Sequence, residues 1–201
     1  HFDKILLDWM NVDMADIGAY SACYKIGMFM VLYRTAYTLG IEPFFFSHAN
    51  HENAQQTYAT ITKYFVIFGS FISLFVIVFA DLFKHILVPN IQYWDAMKVV
   101  PLIVLANFFL GIYTNLSVWY KLIDKTHIGA YISLVGAAVT LALNYLLIPT
   151  MSYYGSAIAT IAAYGSMMII SYQMGQKEYP IPYDFPKIFS YLGLTVVFSA
   201  V

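Results

Sequence analysis

HIGAYISLVGAAVTLALNYLLI, residues 127–148, holds no Asp, Glu, Lys or Arg and no Pro. A bilayer's hydrocarbon core, about 30 Å thick, is crossed by about 20 residues of α-helix, and only a helix or a closed barrel satisfies its backbone polar groups there. The stretch meets that length and composition, so it reads as one membrane-crossing helix. Outward in both directions the same pattern repeats, at 1–8 (the tail of a span), 17–46, 61–88, 98–120, 155–175 and 186–201 (the start of another). Between them lie polar or proline-bearing breaks: Asn11 to Asp16, Ser47 to Gln56, Pro89-Asn90, and a loop punctuated by Pro180, Pro182 and Pro186. Alternation with period two over a spanning length, the mark of a membrane β-barrel, is missing. The fold expected is all-α, a polytopic bundle of about six to seven transmembrane helices.

Composition agrees. The chain is 61% hydrophobic and 10% charged, against about a quarter charged for soluble domains. A net charge of -1 and the lack of a basic cluster argue against nucleic acid as a partner. Cys23 is the only cysteine, which precludes an internal disulfide or thiolate metal centre. The first and last segments are shorter than a full crossing, so the sequence reads as a piece of a longer protein with multi-pass topology.

Lysines set the orientation. Lys63, Lys121, Lys125, Lys177 and Lys187 fall at alternate breaks, while the opposite set holds only Lys84 and Lys98. By the positive-inside rule the breaks near 47–63, 121–127 and 176–187 are cytoplasmic. Trp9, Tyr93, Trp94, Trp119, Tyr120, Tyr153 and Tyr154 sit at span ends, as interfacial rings prefer. Small residues Gly129, Ser133, Gly136, Thr140 and Asn144 share one face of the 127–148 helix, and Gly155, Ala159 and Ala163 form a row in the next; both predict close helix packing, with Asn144 placed to bond across it. Ile17-Gly18-Ala19-Tyr20 recurs as Ile128-Gly129-Ala130-Tyr131, each time opening a span.

Charge at membrane depth costs about 2.5–3.5 kcal/mol on insertion scales and marks a cavity or a partner. Asp3, Lys4, Lys25, Arg34 and Glu42 qualify. Arg34 either pairs with Glu42, about 80° around the helix from it, or lines a wet cavity and attracts an anion. Lys25 either snorkels to the interface or joins that cavity. Glu42 and Asp3 are candidates for proton or ion coupling. Asn107 and Asn115 form a polar stripe that either lines a cavity or packs against a neighbour. Pro43 and Pro101 are candidate bend points. His48, His51 and Glu52 lie in a polar break without the spacing of a metal site, and no P-loop, nucleophile elbow or carboxylate pair is present, so neither a metal nor another cofactor is expected and an enzyme is disfavoured.

Asp3-Lys4, then Ile17-Gly18-Ala19-Tyr20-Ser21-Ala22-Cys23-Tyr24-Lys25-Ile26-Gly27, resembles the "DR … vGxYsaayki" pattern of polysaccharide flippases of the MOP (multidrug/oligosaccharidyl-lipid/polysaccharide) superfamily, to which the MATE-like transporters belong. Ile41-Glu42-Pro43-Phe44-Phe45-Phe46, Tyr120-Lys121 through Thr126, and Asn144 to Pro149 with Gly155-Ser156-Ala157-Ile158-Ala159-Thr160 are similar to later landmarks of the same bacterial proteins. The resemblance implies a transporter of twelve to fourteen helices in two lobes, of which this chain is the second. It implies alternating access and movement of a polyprenyl-pyrophosphate oligosaccharide across the bacterial inner membrane, with Asp3, Lys4 and Arg34 facing the central cavity. Membrane lipids and H+ or Na+ are the further partners expected. Lys4 stands where the pattern has Arg, keeping the charge but losing the bidentate fork that matches phosphate oxygens. The alternatives are a drug or cation antiporter of the same superfamily and, further off, a membrane enzyme of lipid-linked sugar assembly.

Overall fold

A computed structural model describes residues 2–199, with side chains from residue 5 onward except at a few positions of the last helix. The described chain is helical, in nine α-helices and one 3-10 helix. They are α1 (Phe2–Trp9), α2 (Met14–His48), α3 (Ala54–Val78), α4 (Ala80–Leu87), the 3-10 helix Ile91–Val99, α5 (Val100–Leu116), α6 (Val118–Leu122), α7 (His127–Met151), α8 (Tyr153–Glu178) and α9 (Phe185–Ser199). Four helical stretches are long and apolar enough to cross a membrane: Ala54–Val78, Ile91–Leu122, His127–Met151 and Tyr153–Glu178. At 35 residues α2 is the longest helix, but Lys25, Arg34 and Glu42 punctuate it and it is not among those four.

Three boundaries differ from expectation for local reasons. The polar stretch after Ser47 shrinks to a tight turn because α3 already begins at Ala54. The apolar run 61–88 divides at Phe79 into α3 and the short α4. Pro101 bends nothing: it occupies the first turn of α5, where its missing N–H has no partner to lose. Pro43, by contrast, lies inside α2 and leaves the carbonyl one turn earlier without its donor.

Packing follows small residues. In α7 Ile128, Ile132, Gly136, Asn144 and Ile148 form the buried face, and in α8 Ala159 and Ala163 are 0% and 1% exposed. At the α7–α8 turn a Cβ on Gly155 would lie 2.7 Å from the backbone of Leu147, so any side chain there would push the two helices apart. Asn144 does not bridge helices as expected. Its amide donates to the Thr140 carbonyl at 2.8 Å within α7, and its Oδ1 is buried without a partner.

The two Ile-Gly-Ala-Tyr segments share a packing task. A Cβ on Gly18 would lie 2.8 Å from the Tyr93 hydroxyl, and one on Gly129 would lie 2.8 Å from that of Tyr120. Tyr93 and Tyr120 stand at opposite ends of the Ile91–Leu122 span, so the repeated tetrapeptide docks α2 and α7 onto the two ends of one central rod.

Hydrogen bonds gather the breaks into two sets. Ser152, held at φ 49°, donates to Asp16 at 3.0 Å and ties the α7–α8 turn to the start of α2. Lys125 pairs with Glu178, Lys121 with Glu42, and the Tyr58 hydroxyl donates to the Phe45 carbonyl at 2.8 Å. Breaks of like parity thus meet at the same end of the bundle, with the lysine-rich set at one end.

Candidate functional site

Arg34 and Glu42 of α2 lie on one seam that α2 forms with α5 and α6. Its successive contacts are Gly27 with Ile103, Arg34 with Gly111, Tyr37 with Asn115, and Glu42 with Lys121 of α6. The sequence offset stays nearly constant, so α2 runs parallel to them and keeps register. Glycine makes the approach possible at Gly27, where a Cβ would lie 2.6 Å from Ile103, while Gly111 admits the ring of Phe65 from α3, 2.6 Å from where its Cβ would stand.

Arg34 occupies the middle of this seam. It is half-buried, with its Cγ 3.6 Å from where a Gly111 Cβ would stand. Its Nε is buried and makes no hydrogen bond. The expected partner, Glu42, does not reach it: eight residues of helix separate the two by about 12 Å along the axis. Glu42 instead forms an ion pair with Lys121, the carboxylate and ammonium being 38% and 30% exposed. The sequence pattern missed Lys121 because its partner is 79 residues away and nothing local announces the contact.

Lys25 lies nine residues before Arg34, which places it about 180° around the helix. It is exposed on the face of α2 that carries the exposed apolar residues Met28, Leu32 and Leu39. Lys25 and Arg34 therefore do not form one cluster. Asn107 and Asn115 are 9% and 3% exposed and face packed helices rather than open space. Asn107 donates to the Ile103 carbonyl at 2.9 Å within its own helix, and Asn115 donates to Gly111 while accepting from the Tyr37 hydroxyl. The crevice beside Asn115, about 10 Å³, holds no ligand-sized space. The side chains of Asp3 and Lys4 lie outside the described residues.

Aromatic rings wall the seam on the α3 side. Tyr33 stacks on Phe65 at 5.2 Å between centroids, and its hydroxyl donates to the Phe65 carbonyl at 3.0 Å. Below them lies an apolar cavity of about 250 Å³ lined by residues of α3, α5, α8 and α9, including Val66, Ile112, Met168 and Leu192. His48 and His51 stack at 4.1 Å in the α2–α3 turn, and among the described residues no group of three His, Cys, Asp or Glu is placed to hold a metal ion.

Long apolar crossings with an ion pair and a half-buried guanidinium between them define a helical membrane protein. A family model described as MatE matches residues 7–146, and the chain belongs to that family, one of transporters rather than enzymes. The match runs from the end of α1 through most of α7, so it includes the whole α2–α5 seam. No curated protein and no solved structure matches the chain.

Proposed function

We propose that this chain forms the second lobe of a flippase that moves a lipid-linked oligosaccharide across the bacterial inner membrane by alternating access. Arg34 carries the reading. A guanidinium near the middle of a span, with a buried Nε lacking any partner, is too costly to persist unless something anionic compensates it for part of the cycle. The nearest acid on its own helix, Glu42, is already engaged by Lys121. An anionic headgroup such as a pyrophosphate suits the vacancy in charge, because guanidinium binds phosphate oxygens through a bidentate fork. In this reading Lys4 and the exposed Lys25 add positive charge along the substrate's route. Asn115, Tyr37 and the Glu42–Lys121 pair position α2 against α5 rather than touch the substrate. Asp3 is the remaining candidate for coupling to H+ or Na+, with Glu42 available only when Lys121 releases it.

A drug or cation antiporter of the same family would want a carboxylate free at membrane depth. Among the described side chains the acid deepest in α2 is neutralised, which favours the anionic substrate. Arg34→Ala in the full-length protein is expected to abolish surface glycan export at unchanged membrane abundance, and Arg34→Lys to retain a fraction. Wild-type export by Arg34→Ala would remove the basis of the proposal.

A further inference from the structure

The lysine-poor end of the bundle holds a second polar feature that the seam does not use. There the end of α3, α4, the 3-10 helix Ile91–Val99 and the start of α5 line a cavity of about 440 Å³, with Asp81, Lys84, Asp95 and Lys98 as its charged residues and Ile77, Ala80, Trp94, Met97 and Pro101 as the rest. Two of those charges are already spent on neighbours. Lys84 pairs with Asp81 at 2.5 Å and lies over the Trp94 ring at 5.1 Å, while His85 packs edge-on to the same ring at 4.4 Å. Asp95 and Lys98 remain: both are exposed, and neither makes a hydrogen bond or an ion pair among the described residues.

Their arrangement has a direction. A 3-10 helix has three residues per turn, so positions three apart eclipse one another, about 6 Å apart along the axis. Asp95 and Lys98 therefore stack in one column at the cavity wall, and Pro101, in the first turn of α5, lines the same cavity further along the chain. The span Ile91–Leu122 enters the membrane in that order. From the surface inward the order reads anion, cation, apolar. A zwitterionic phospholipid presents the complementary order, with an ammonium outermost, a phosphate one level deeper and acyl chains below. The apolar residues of the cavity itself, Ile77, Ala80, Met97 and Pro101, suit the start of the tails.

We propose that this cavity is a lipid site selective for phosphatidylethanolamine in the leaflet on the lysine-poor side. The ammonium bonds Asp95, the phosphate bonds Lys98, and the chains start against Ile77, Ala80, Met97 and Pro101. Ethanolamine is preferred over choline for a stated reason. A primary ammonium donates hydrogen bonds to a carboxylate, whereas a quaternary one needs an open aromatic face, and Lys84 and His85 already occupy Trp94. An anionic lipid such as phosphatidylglycerol leaves Asp95 facing a phosphate with no cation between them.

Native mass spectrometry of the full-length protein in detergent, titrated with equimolar phosphatidylethanolamine, phosphatidylcholine and phosphatidylglycerol, tests this directly. Wild type is expected to retain ethanolamine lipid about tenfold over the other two, the worth of one charge-assisted hydrogen bond. Asp95→Asn should erase that preference at unchanged lipid-free melting temperature and Asp95→Glu should keep most of it, whereas Lys98→Gln should weaken retention of all three lipids, because each carries the phosphate. Equal retention of all three lipids by wild type, preference for phosphatidylglycerol, full selectivity in Asp95→Asn, or undiminished retention in Lys98→Gln would overturn the proposal. The wild-type comparison decides even if a variant is poorly folded, and no arm depends on Arg34 or on transport.

Discussion

Replacing Gly111 by alanine should loosen the contact between α3 and α5, and the structure sets the size of the effect. The added Cβ would stand 2.6 Å from Cζ of Phe65, well inside van der Waals contact, and 3.6 Å from Cγ of Arg34, an ordinary distance. Phe65 must therefore move, and it has nowhere to go. It is 2% exposed, stacks on Tyr33 at 5.2 Å, and meets Tyr37 at 4.5 Å between centroids. Overpacking of this kind costs about 1–3 kcal/mol. The control is Gly40→Ala on α2, where a Cβ meets nothing within 4 Å and the change should gain up to about 1 kcal/mol from reduced backbone freedom. Thermal unfolding of the detergent-solubilised protein should thus separate the two variants by about 1–4 kcal/mol, and Phe65→Leu in the Gly111→Ala background should recover part of the loss. If Gly111→Ala melts with Gly40→Ala, Phe65 does not pack against Gly111 and the close approach of α3 to α5 is refuted.

Other consequences are equally direct. A double-mutant cycle of Glu42→Gln with Lys121→Met should give a coupling of about 0.2–1 kcal/mol, because both groups are partly solvated; a vanishing coupling would remove the pair as a clasp. Trp119→Phe should cost about 1–3 kcal/mol in the same melting assay. Its indole N–H donates to the Ser171 carbonyl at 3.1 Å, and the Ser171 hydroxyl donates to the Leu116 carbonyl at 2.8 Å, so the change removes one buried link between α6 and α8 and shrinks a side chain that is 1% exposed. Cys23, the only thiol, is 0% exposed, so maleimide labelling of the folded protein should be slow and should rise together with thermal unfolding; rapid labelling of the native state would contradict its burial. In a Cys23→Ala background, cysteines at positions 50 and 124 should react with an impermeant reagent from one face of the membrane and cysteines at 13 and 90 from the other, and mixed access would refute the alternating topology.

How far the sequence could be read depended on the range of the interaction. Apolar runs such as 127–148 announce helices because lipid forces every backbone amide to find its partner four residues away, a purely local requirement. Gly136 and the Gly155, Ala159, Ala163 row announced close packing for the same reason, since small residues at helical spacing act within one helix face. Charges were visible as residues but not as pairs. Arg34 and Glu42 looked like partners on one helix, yet axial rise separates them, and Glu42 found Lys121 from a distant segment. Asn107 and Asn115 were legible as a stripe, and only the position of Tyr37 decided that the stripe faces a neighbouring helix. The split at Phe79 and the 3-10 turn that aligns Asp95 with Lys98 carried no hydropathy signal, because both keep the run apolar while changing its geometry. The chain's local chemistry determined that it crosses a membrane in helices and where the ionised groups lie along them. Which of those groups meet was decided by how the rods pack, since side-chain contact between helices depends on register and crossing that no single segment encodes.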